Sequence, residues 1–113
     1  MAIKGGGHST MGASSTNSGL LIDLTTYKRT TDVKIEAKTI TVRGGAVWSD
    51  VDAVLALYGF ATVGGTVSDT GVGGITLGGS FDLLTVKHGL VIDNLISCTA
   101  VLADGSIVKF SNE

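Results

Sequence analysis

Residues 33–59, VKIEAKTITVRGGAVWSDVDAVLALYG, indicate the fold class because the spacing of their apolar side chains changes partway along the segment. Apolar and polar residues alternate with period two over residues 33–37 and again over residues 39–43. This pattern predicts a β-hairpin with one solvent-facing side. The apolar residues that follow have the i, i+3, i+4, i+7 spacing of an amphipathic helix; they are Val51, Val54, Leu55 and Tyr58. A hairpin followed at once by a helix indicates a mixed α+β fold.

The ends of this helix are also marked in the sequence. Ser49 is a good N-cap residue, and Asp52 stands three positions later, where a capping box places its acidic partner. Asp50 and Asp52 favour the positive end of the helix dipole. Gly59 suits the left-handed position that ends many helices. The sequence therefore predicts a helix from Ser49 to Gly59.

The rest of the chain indicates further short elements. In order, we expect a mostly buried strand over residues 20–25, a short strand over 60–63 and a loose second helix within 71–79. Two apolar runs, residues 95–102 and 106–110, flank Ala103-Asp104-Gly105, and Asp-Gly between such runs predicts a hairpin. The expected fold class is α+β, with a mostly antiparallel sheet and one or two short helices.

Composition narrows the classes of function. The chain has 113 residues, 8 Lys+Arg and 10 Asp+Glu, and a net charge of −2. A length of this order supports one hydrophobic core, so we expect a single domain. The scattered cations argue against a nucleic-acid partner and against a polybasic membrane anchor. No apolar run approaches the ~20 residues of a membrane span. With 43% hydrophobic and 16% charged residues, the chain is expected to fold.

Glycine is unusually frequent, at 17 of 113 residues, and proline is absent. Two glycine clusters stand beside hydroxyl residues, at 5–9 (GGGHS) and at 71–79 (GVGGITLGG). Successive backbone N–H groups in such a loop can bind a phosphate or pyrophosphate. Each cluster also has a purely structural interpretation, as a flexible N-terminal tail and as a tight turn or slim helix respectively. The two clusters together favour an extended ligand with a charged middle.

Other kinds of chemistry lack support in the sequence. The aspartates are spread through predicted turns and caps without forming an acid–base pair: Asp23, Asp50, Asp52, Asp69, Asp82, Asp93 and Asp104. His8, His88 and Cys98 do not have the spacing of metal ligands. There is no G-x-S-x-G nucleophile motif. We expect Trp48 and Tyr58 in the core, and Cys98 to be a buried small hydrophobe.

Several segments, taken together, resemble one family. They are IKGGGHS at 3–9, GLLIDL at 19–24, TVRGGAVW at 41–48, GGT at 64–66, TGVGG at 70–74, LGG at 77–79, HGL at 88–90, DN at 93–94 and VLADG at 101–105. In this order they resemble the FAD-binding domain of FAD-linked oxidases. These are the berberine-bridge-enzyme-like members of the vanillyl-alcohol oxidase/p-cresol methylhydroxylase superfamily. The resemblance covers almost the whole chain, and it implies an oxidoreductase with FAD as cofactor.

The resemblance implies roles for individual residues. His8 would be bonded covalently to the flavin 8α-methyl, and the amides near Gly6, Gly7 and Ser9 would hold the pyrophosphate. The segment 66–74 would line the flavin, and a strand near residues 91–92 would approach it with main-chain groups. The full set of cofactor-binding residues expected on this basis is Gly5, Gly6, Gly7, His8, Ser9, Gly65, Thr66, Thr70, Gly71, Gly74 and Ile92.

The chain also departs from the family pattern. Bicovalent members have a cysteine where Val67 stands, so no sulfur link to the flavin is expected. Ser80 and Asp82 occupy positions where glycine is common. The upstream subdomain and the downstream substrate domain of the family are missing, so residues 1–113 are expected to be one partial domain, the second half of the FAD-binding domain.

Three interpretations follow from the sequence. The chain is the FAD-binding portion of an oxidase with a monocovalent histidyl flavin, and it is not expected to be active alone. Alternatively, it is a flavin-binding module without catalysis. A third alternative is a cofactor-free, glycine-rich α+β fragment that self-associates as a homo-oligomer through exposed strand edges.

Overall fold

The computed structural model describes residues 1–26 and 31–111. Three strand pairs and three short helices make up these residues, an α+β fold as expected. The elements are β1 (Ala2–Lys4), β2 (Leu21–Asp23), β3 (Thr31–Lys34), β4 (Thr39–Val42), α1 (Trp48–Ala56), α2 (Val72–Leu77), α3 (Thr85–His88), a 3₁₀ turn (Ile92–Asn94), β5 (Ser97–Val101) and β6 (Ile107–Ser111).

Each strand pairs with one other strand. β1 and β2 are parallel, with Ala2 opposite Leu21, whereas the two hairpins are antiparallel. The β3–β4 pair confirms the first predicted hairpin and the β5–β6 pair confirms the last one. Lys38 and Gly105 adopt positive φ angles of 51° and 86° in the two turns. The turns therefore use left-handed backbone, which a glycine adopts at little cost.

Helix α1 carries the core. Its apolar stripe buries Trp48, Val51 and Leu55, which pack with Val63 and Val91. Val51 is completely buried. Partly buried residues of β3, β4 and α2, together with two residues of the connecting segments, pack against this cluster: Val33, Ile40, Val42, Val72 and Ile75 from the elements, and Phe60 and Leu84 from the connections. The change of period within residues 33–59 thus corresponds to a hairpin that packs on a helix.

The predicted start of α1 was wrong by two residues. Val47 is the N-cap residue, and its N–H donates to the Asp50 carboxylate at 3.0 Å. Ser49 therefore lies inside the first turn, and its N–H donates to the Ser68 carbonyl at 2.8 Å. Asp52 makes no capping contact; partial burial, and then the nearby Asp82 charge, raise the pKa of its carboxyl. The helix ends at Ala56, earlier than the predicted stop, and Gly59 has the left-handed φ of 67° in the turn that follows.

Several predictions of strand and burial were also wrong. Residues 20–25 contain β2, but its side chains are exposed. Within residues 1–26 and 31–111, the strand pairs only with β1. Residues 60–63 form no strand, although Val63 is buried in the core. Tyr58 is 47% exposed, since it follows the last turn of α1, and Cys98 is exposed on β5. Residues 91–92 form a turn and the start of the 3₁₀ segment, not a strand.

The second predicted helix is confirmed as α2, whereas α3 was not predicted because four residues are too few to show a period. Apolar side chains remain exposed on the β5–β6 hairpin, including Val101, Ile107 and Phe110. Within the described residues, no helix has the length and apolar character needed for a membrane span.

Candidate functional site

The two glycine clusters meet in space. A Cβ atom added to Gly6 would lie 2.5 Å from the Gly71 Cα, and one added to Gly71 would lie 2.7 Å from the Gly6 Cα. Both distances are far below ordinary van der Waals contact, so the two backbones cross at a separation that only glycine permits. A loop near the N-terminus and a loop more than sixty residues later therefore form one site.

The first wall of this site is the loop from Gly5 to Ser9, which follows β1. Gly7 has a φ of 78°, and the side chain of Lys4 lies directly beneath it. Among the described residues, none of the backbone N–H groups from Gly5 to Ser9 donates a hydrogen bond to the chain. The Ser9 hydroxyl oxygen accepts from the Ala13 N–H at 3.1 Å, which fixes the end of the loop. A set of five free donors in one loop is suited to an anion.

The second wall is the loop of residues 66–71, which is fixed to the start of α1. The Ser68 carbonyl accepts from Ser49, and the Thr70 carbonyl accepts from the Trp48 N–H at 3.1 Å. Just beyond the loop, Val72 donates to the Ala46 carbonyl at 3.0 Å. These backbone bonds tie the wall to the hydrophobic core and explain why Thr70 is buried.

An open pocket of about 470 Å³ lies between the two walls. Its volume is in the range of ordinary cofactor pockets. Eight of the residues predicted to bind a cofactor line it together: Gly5, Gly6, Gly7, His8, Ser9, Thr70, Gly71 and Gly74. The lining also includes residues that the sequence did not single out, namely Ile3, Ala13, Ser14 and Ile75.

Three predicted residues lie outside this lining. Gly65 packs against the indole of Trp48, since a Cβ there would come within 2.6 Å of the ring nitrogen Nε1. The Thr66 hydroxyl donates to the Phe81 carbonyl at 3.2 Å. Ile92 belongs to the 3₁₀ turn, and its N–H donates to the Gly79 carbonyl at 3.2 Å. Each of these residues thus has a contact within the chain, and a role toward a cofactor stays a prediction for all three.

The loop near Gly64 is held by Ser80 and Asp82, the two residues at which the sequence was expected to depart from a glycine pattern. Ser80 has a φ of 57° and donates its hydroxyl to the Gly64 carbonyl at 2.8 Å. The Asp82 carboxylate accepts from the Gly64 N–H at 2.7 Å. Ser80 therefore retains the left-handed backbone that a glycine would adopt, and both side chains stabilise the loop instead of disturbing it.

His8 and Asp69 connect the two walls at the edge of the pocket. The His8 Nε2 atom lies 2.9 Å from an Asp69 carboxylate oxygen. Sequence analysis assigned Asp69 only an ordinary turn role, and no spacing rule links two residues that are 61 positions apart. This contact is a feature of the site that the sequence did not reveal.

Comparison with known protein families identifies the domain. Residues 1–111 match the model of a family described as FAD binding domain. The chain is 47% identical over 108 residues to an FAD-linked oxidoreductase of Aspergillus terreus. This match covers 96% of this chain and 22% of the relative. It is 38% identical over 102 residues to an uncharacterized FAD-linked oxidoreductase of Bacillus subtilis, covering 90% of this chain and 22% of that one. The chain thus spans about a fifth of the length of these relatives.

Solved structures agree with this result. The fold matches 6-hydroxy-D-nicotine oxidase from Arthrobacter nicotinovorans with a TM-score of 0.92 and 28% identity, over 98% of this chain and 24% of that one. It matches glucooligosaccharide oxidase from Acremonium strictum with a TM-score of 0.83 and 37% identity, over 97% and 23% respectively. The FAD of the second enzyme is 6-S-cysteinyl, 8α-N1-histidyl. The sequence, the fold and the glycine-lined pocket together show that this chain belongs to the FAD-binding domain family of the FAD-linked oxidoreductases.

Proposed function

We propose that residues 1–111 form one side of an FAD site, in which the Gly5–Ser9 loop binds the pyrophosphate and His8 is the covalent anchor of the flavin. The observation that carries the proposal is the crossing of Gly6 and Gly71. The residues that carry five free backbone N–H groups, Gly5 to Ser9, line one pocket with Thr70 and Gly71.

The residues present fit such a cofactor. A pyrophosphate carries negative charge, and free N–H groups in a glycine loop stabilise it without a side chain that would fill the space. Lys4 lies beneath the loop, and its ammonium group pairs with Asp23 at 3.0 Å. Gly74 adds room, because a Cβ at that position would meet no atom within 4 Å.

The attachment is proposed to be monocovalent. His8 is half-exposed at the pocket edge, so its ring is accessible to a bound flavin. Val67 occupies the position at which bicovalent relatives have cysteine, and its side chain is 55% exposed. A valine has no nucleophile, and the exposed Cys98 on β5 is outside the pocket lining. One histidyl bond is therefore the only covalent link that these residues support.

The reaction of the whole protein is a further part of the proposal. FAD supplies two-electron oxidation when it is bound. By similarity to its relatives, the parent protein oxidises a small organic substrate and passes the electrons to oxygen. The rest of that protein is proposed to supply the opposite side of the dinucleotide site and the substrate pocket, so the 113 residues bind cofactor without turning over substrate.

The test is the intact mass of the chain after folding with FAD, combined with a visible spectrum before and after denaturation. We expect a mass equal to polypeptide plus FAD and a yellow colour that stays with the unfolded chain. His8→Ala should abolish both signals, whereas His88→Ala, which changes the other histidine, should retain them. Flavin bound equally by both variants would contradict the assignment of His8.

A second candidate function is self-association without cofactor. The exposed apolar side chains of β5 and β6 favour it, because an uncovered hairpin can pair with another chain. Light scattering and a visible spectrum distinguish the two functions. A colourless oligomer favours self-association, and a yellow monomer favours FAD binding.

A further inference from the structure

The contact between His8 and Asp69 determines where the imidazole proton resides. An ionised carboxylate only accepts hydrogen bonds, so the bond of 2.9 Å requires the proton on His8 Nε2. In the neutral ring the other nitrogen, Nδ1, then has a free lone pair. The structure shows no partner for Nδ1 within residues 1–26 and 31–111.

The backbone that carries Asp69 is fixed, although its side chain is exposed. The carbonyls of Ser68 and Thr70, on either side of it, accept hydrogen bonds from Ser49 and Trp48 in the first turn of α1. His8 is fixed from the other wall, two residues after the glycine crossing. The two side chains are thus presented to each other by backbones that cannot easily separate.

We propose that Asp69 is a positioning residue for covalent attachment of the flavin. It holds His8 in the tautomer whose Nδ1 is a nucleophile, and it stabilises the positive charge of the ring while Nδ1 forms its bond. This inference rests on the proposed role of His8 as the anchor and adds the residue that prepares it.

The attachment step balances as follows. The Nδ1 lone pair forms a bond to the 8α carbon, one 8α C–H bond breaks, and its proton leaves to solvent. The flavin ring is left reduced by two electrons, and dioxygen accepts these to give hydrogen peroxide. The imidazolium then releases its Nε2 proton to solvent. Asp69 acts while the ring is cationic, because a carboxylate hydrogen-bonded to a cation stabilises it more than a neutral partner does.

A contact that only holds the two loops together would respond differently to substitution of Asp69. Such a contact needs only a hydrogen bond, which an asparagine in place of Asp69 also provides. The side-chain amide of asparagine, however, can donate to Nε2 and so stabilise the opposite tautomer, with the proton on Nδ1. Asp69→Asn therefore keeps a hydrogen bond between the loops and removes the positioning effect, while Asp69→Glu keeps the carboxylate.

The experiment measures both the tautomer and the attachment. Nitrogen-15 NMR of the histidine-labelled 113-residue chain, at a pH where imidazole is neutral, reports which ring nitrogen carries the proton. We expect His8 to be protonated on Nε2 in the original chain and in Asp69→Glu, and to shift toward Nδ1 protonation in Asp69→Asn. The mass increase with added FAD should be about tenfold slower in Asp69→Asn, the loss typical of one charge-assisted hydrogen bond. Asp32→Asn removes the same charge from strand β3 and should change neither signal.

The outcomes separate this inference from the function on which it rests. Flavin that attaches to His8 at the same rate in the original chain and in Asp69→Asn, or an unchanged tautomer, overturns the role of Asp69 and leaves His8 as the anchor. A chain whose His8 stays unmodified with FAD overturns the anchor itself, and with it the role of Asp69 in attachment. Both changes in Asp69→Asn, with recovery in Asp69→Glu, support the positioning role.

Discussion

Substituting alanine for Gly71 tests the glycine crossing on which the site depends. Gly71 has a φ of −67° and a ψ of 127°, values that any residue adopts, so the backbone conformation itself carries no penalty. The penalty is steric. The new Cβ would lie 2.7 Å from the Gly6 Cα, about 0.8 Å less than an ordinary carbon–carbon contact.

The magnitude follows from the rigidity of both partners. Two backbones meet at this point, and neither has a flexible side chain that can rotate away. Overpacking costs about 1–3 kcal/mol, and we expect Gly71→Ala to lie at the upper end. For a chain of this size, a loss of about 3 kcal/mol lowers the melting temperature by roughly 12 °C.

Gly74→Ala is the matched control. Gly74 lies on helix α2 and lines the same pocket, but an added Cβ meets nothing within 4 Å. Alanine is a better helix former than glycine, so this variant should gain about 0.5–1 kcal/mol. Glycine-to-alanine substitutions three residues apart are thus expected to change the free energy of unfolding in opposite directions.

The assay is thermal unfolding of both variants by circular dichroism, together with hydrogen exchange of the Leu24 amide. That amide donates to the Lys4 carbonyl at 2.9 Å and reports whether strand β1 stays in place. Gly71→Ala should lower the melting temperature or accelerate the exchange of Leu24. If Gly71→Ala matches Gly74→Ala in both measurements, the backbones of Gly6 and Gly71 do not cross as closely as described.

Three further predictions concern the fold around the site. The indole N–H of Trp48 is buried without a partner among the described residues. Trp48→Phe should therefore change the free energy of unfolding by less than about 1 kcal/mol in a denaturant titration. A loss of about 3 kcal/mol, typical of Trp→Ala, would contradict this. Hydrogen bonds from Thr25, and then from Lys4, lower the pKa of Asp23 to about 2. Because the pKa of an unfolded Asp is about 3.9, the stabilisation by Asp23 is complete above that pH and is lost as the pH falls toward 2. The melting temperature of Asp23→Asn should therefore decrease less in acid than that of the original chain. Ser80 combines left-handed backbone with a hydrogen bond. In urea unfolding, Ser80→Ala should lower the free energy of unfolding by about 1 kcal/mol, and Ser80→Gly should lower it by less. Equal losses in the two variants would show that the φ of 57° carries no strain.

The sequence predicted the parts of the fold that depend on local periodicity. Residues 33–59 show a hairpin and a helix stripe because each side chain repeats the same orientation every two or every 3.6 residues. The cap of α1 was misplaced because Ser49 and Asp52 have the right spacing, whereas Asp50 makes the actual bond to the Val47 N–H. Val47 has no side-chain oxygen that could cap the helix, so the sequence rule favours Ser49, and only the backbone path places the N-cap at Val47.

Burial outside α1 was harder to predict, because it depends on what covers each element. The apolar run that contains β2 has the composition of a buried strand, yet Leu21 and Ile22 are exposed. Cys98 likewise lies in an apolar run that predicted burial, yet it is exposed on β5. Exposed apolar residues of this kind are expected where the chain represents only a fraction of its relatives' length.

The candidate site was predicted in part. The glycine clusters indicated an anion site from composition alone, and eight of the predicted residues line one pocket. Asp69 was missed because its meeting with His8 depends on two loops that cross at Gly6 and Gly71, which no local rule describes. Gly65 was attributed to the cofactor by resemblance, and the structure shows its contact with the Trp48 indole.

A map of backbone amide chemical shifts, recorded as FAD is added to the labelled chain, tests whether the pocket between the two glycine loops holds the cofactor. We expect the largest changes at the free N–H groups of residues 5–9 and in the facing segment 70–74. The β5–β6 hairpin, which lies outside the pocket lining, should stay unchanged. Largest changes in the hairpin, or no changes in residues 5–9 under conditions where flavin binds, would contradict the claim that this pocket holds the cofactor.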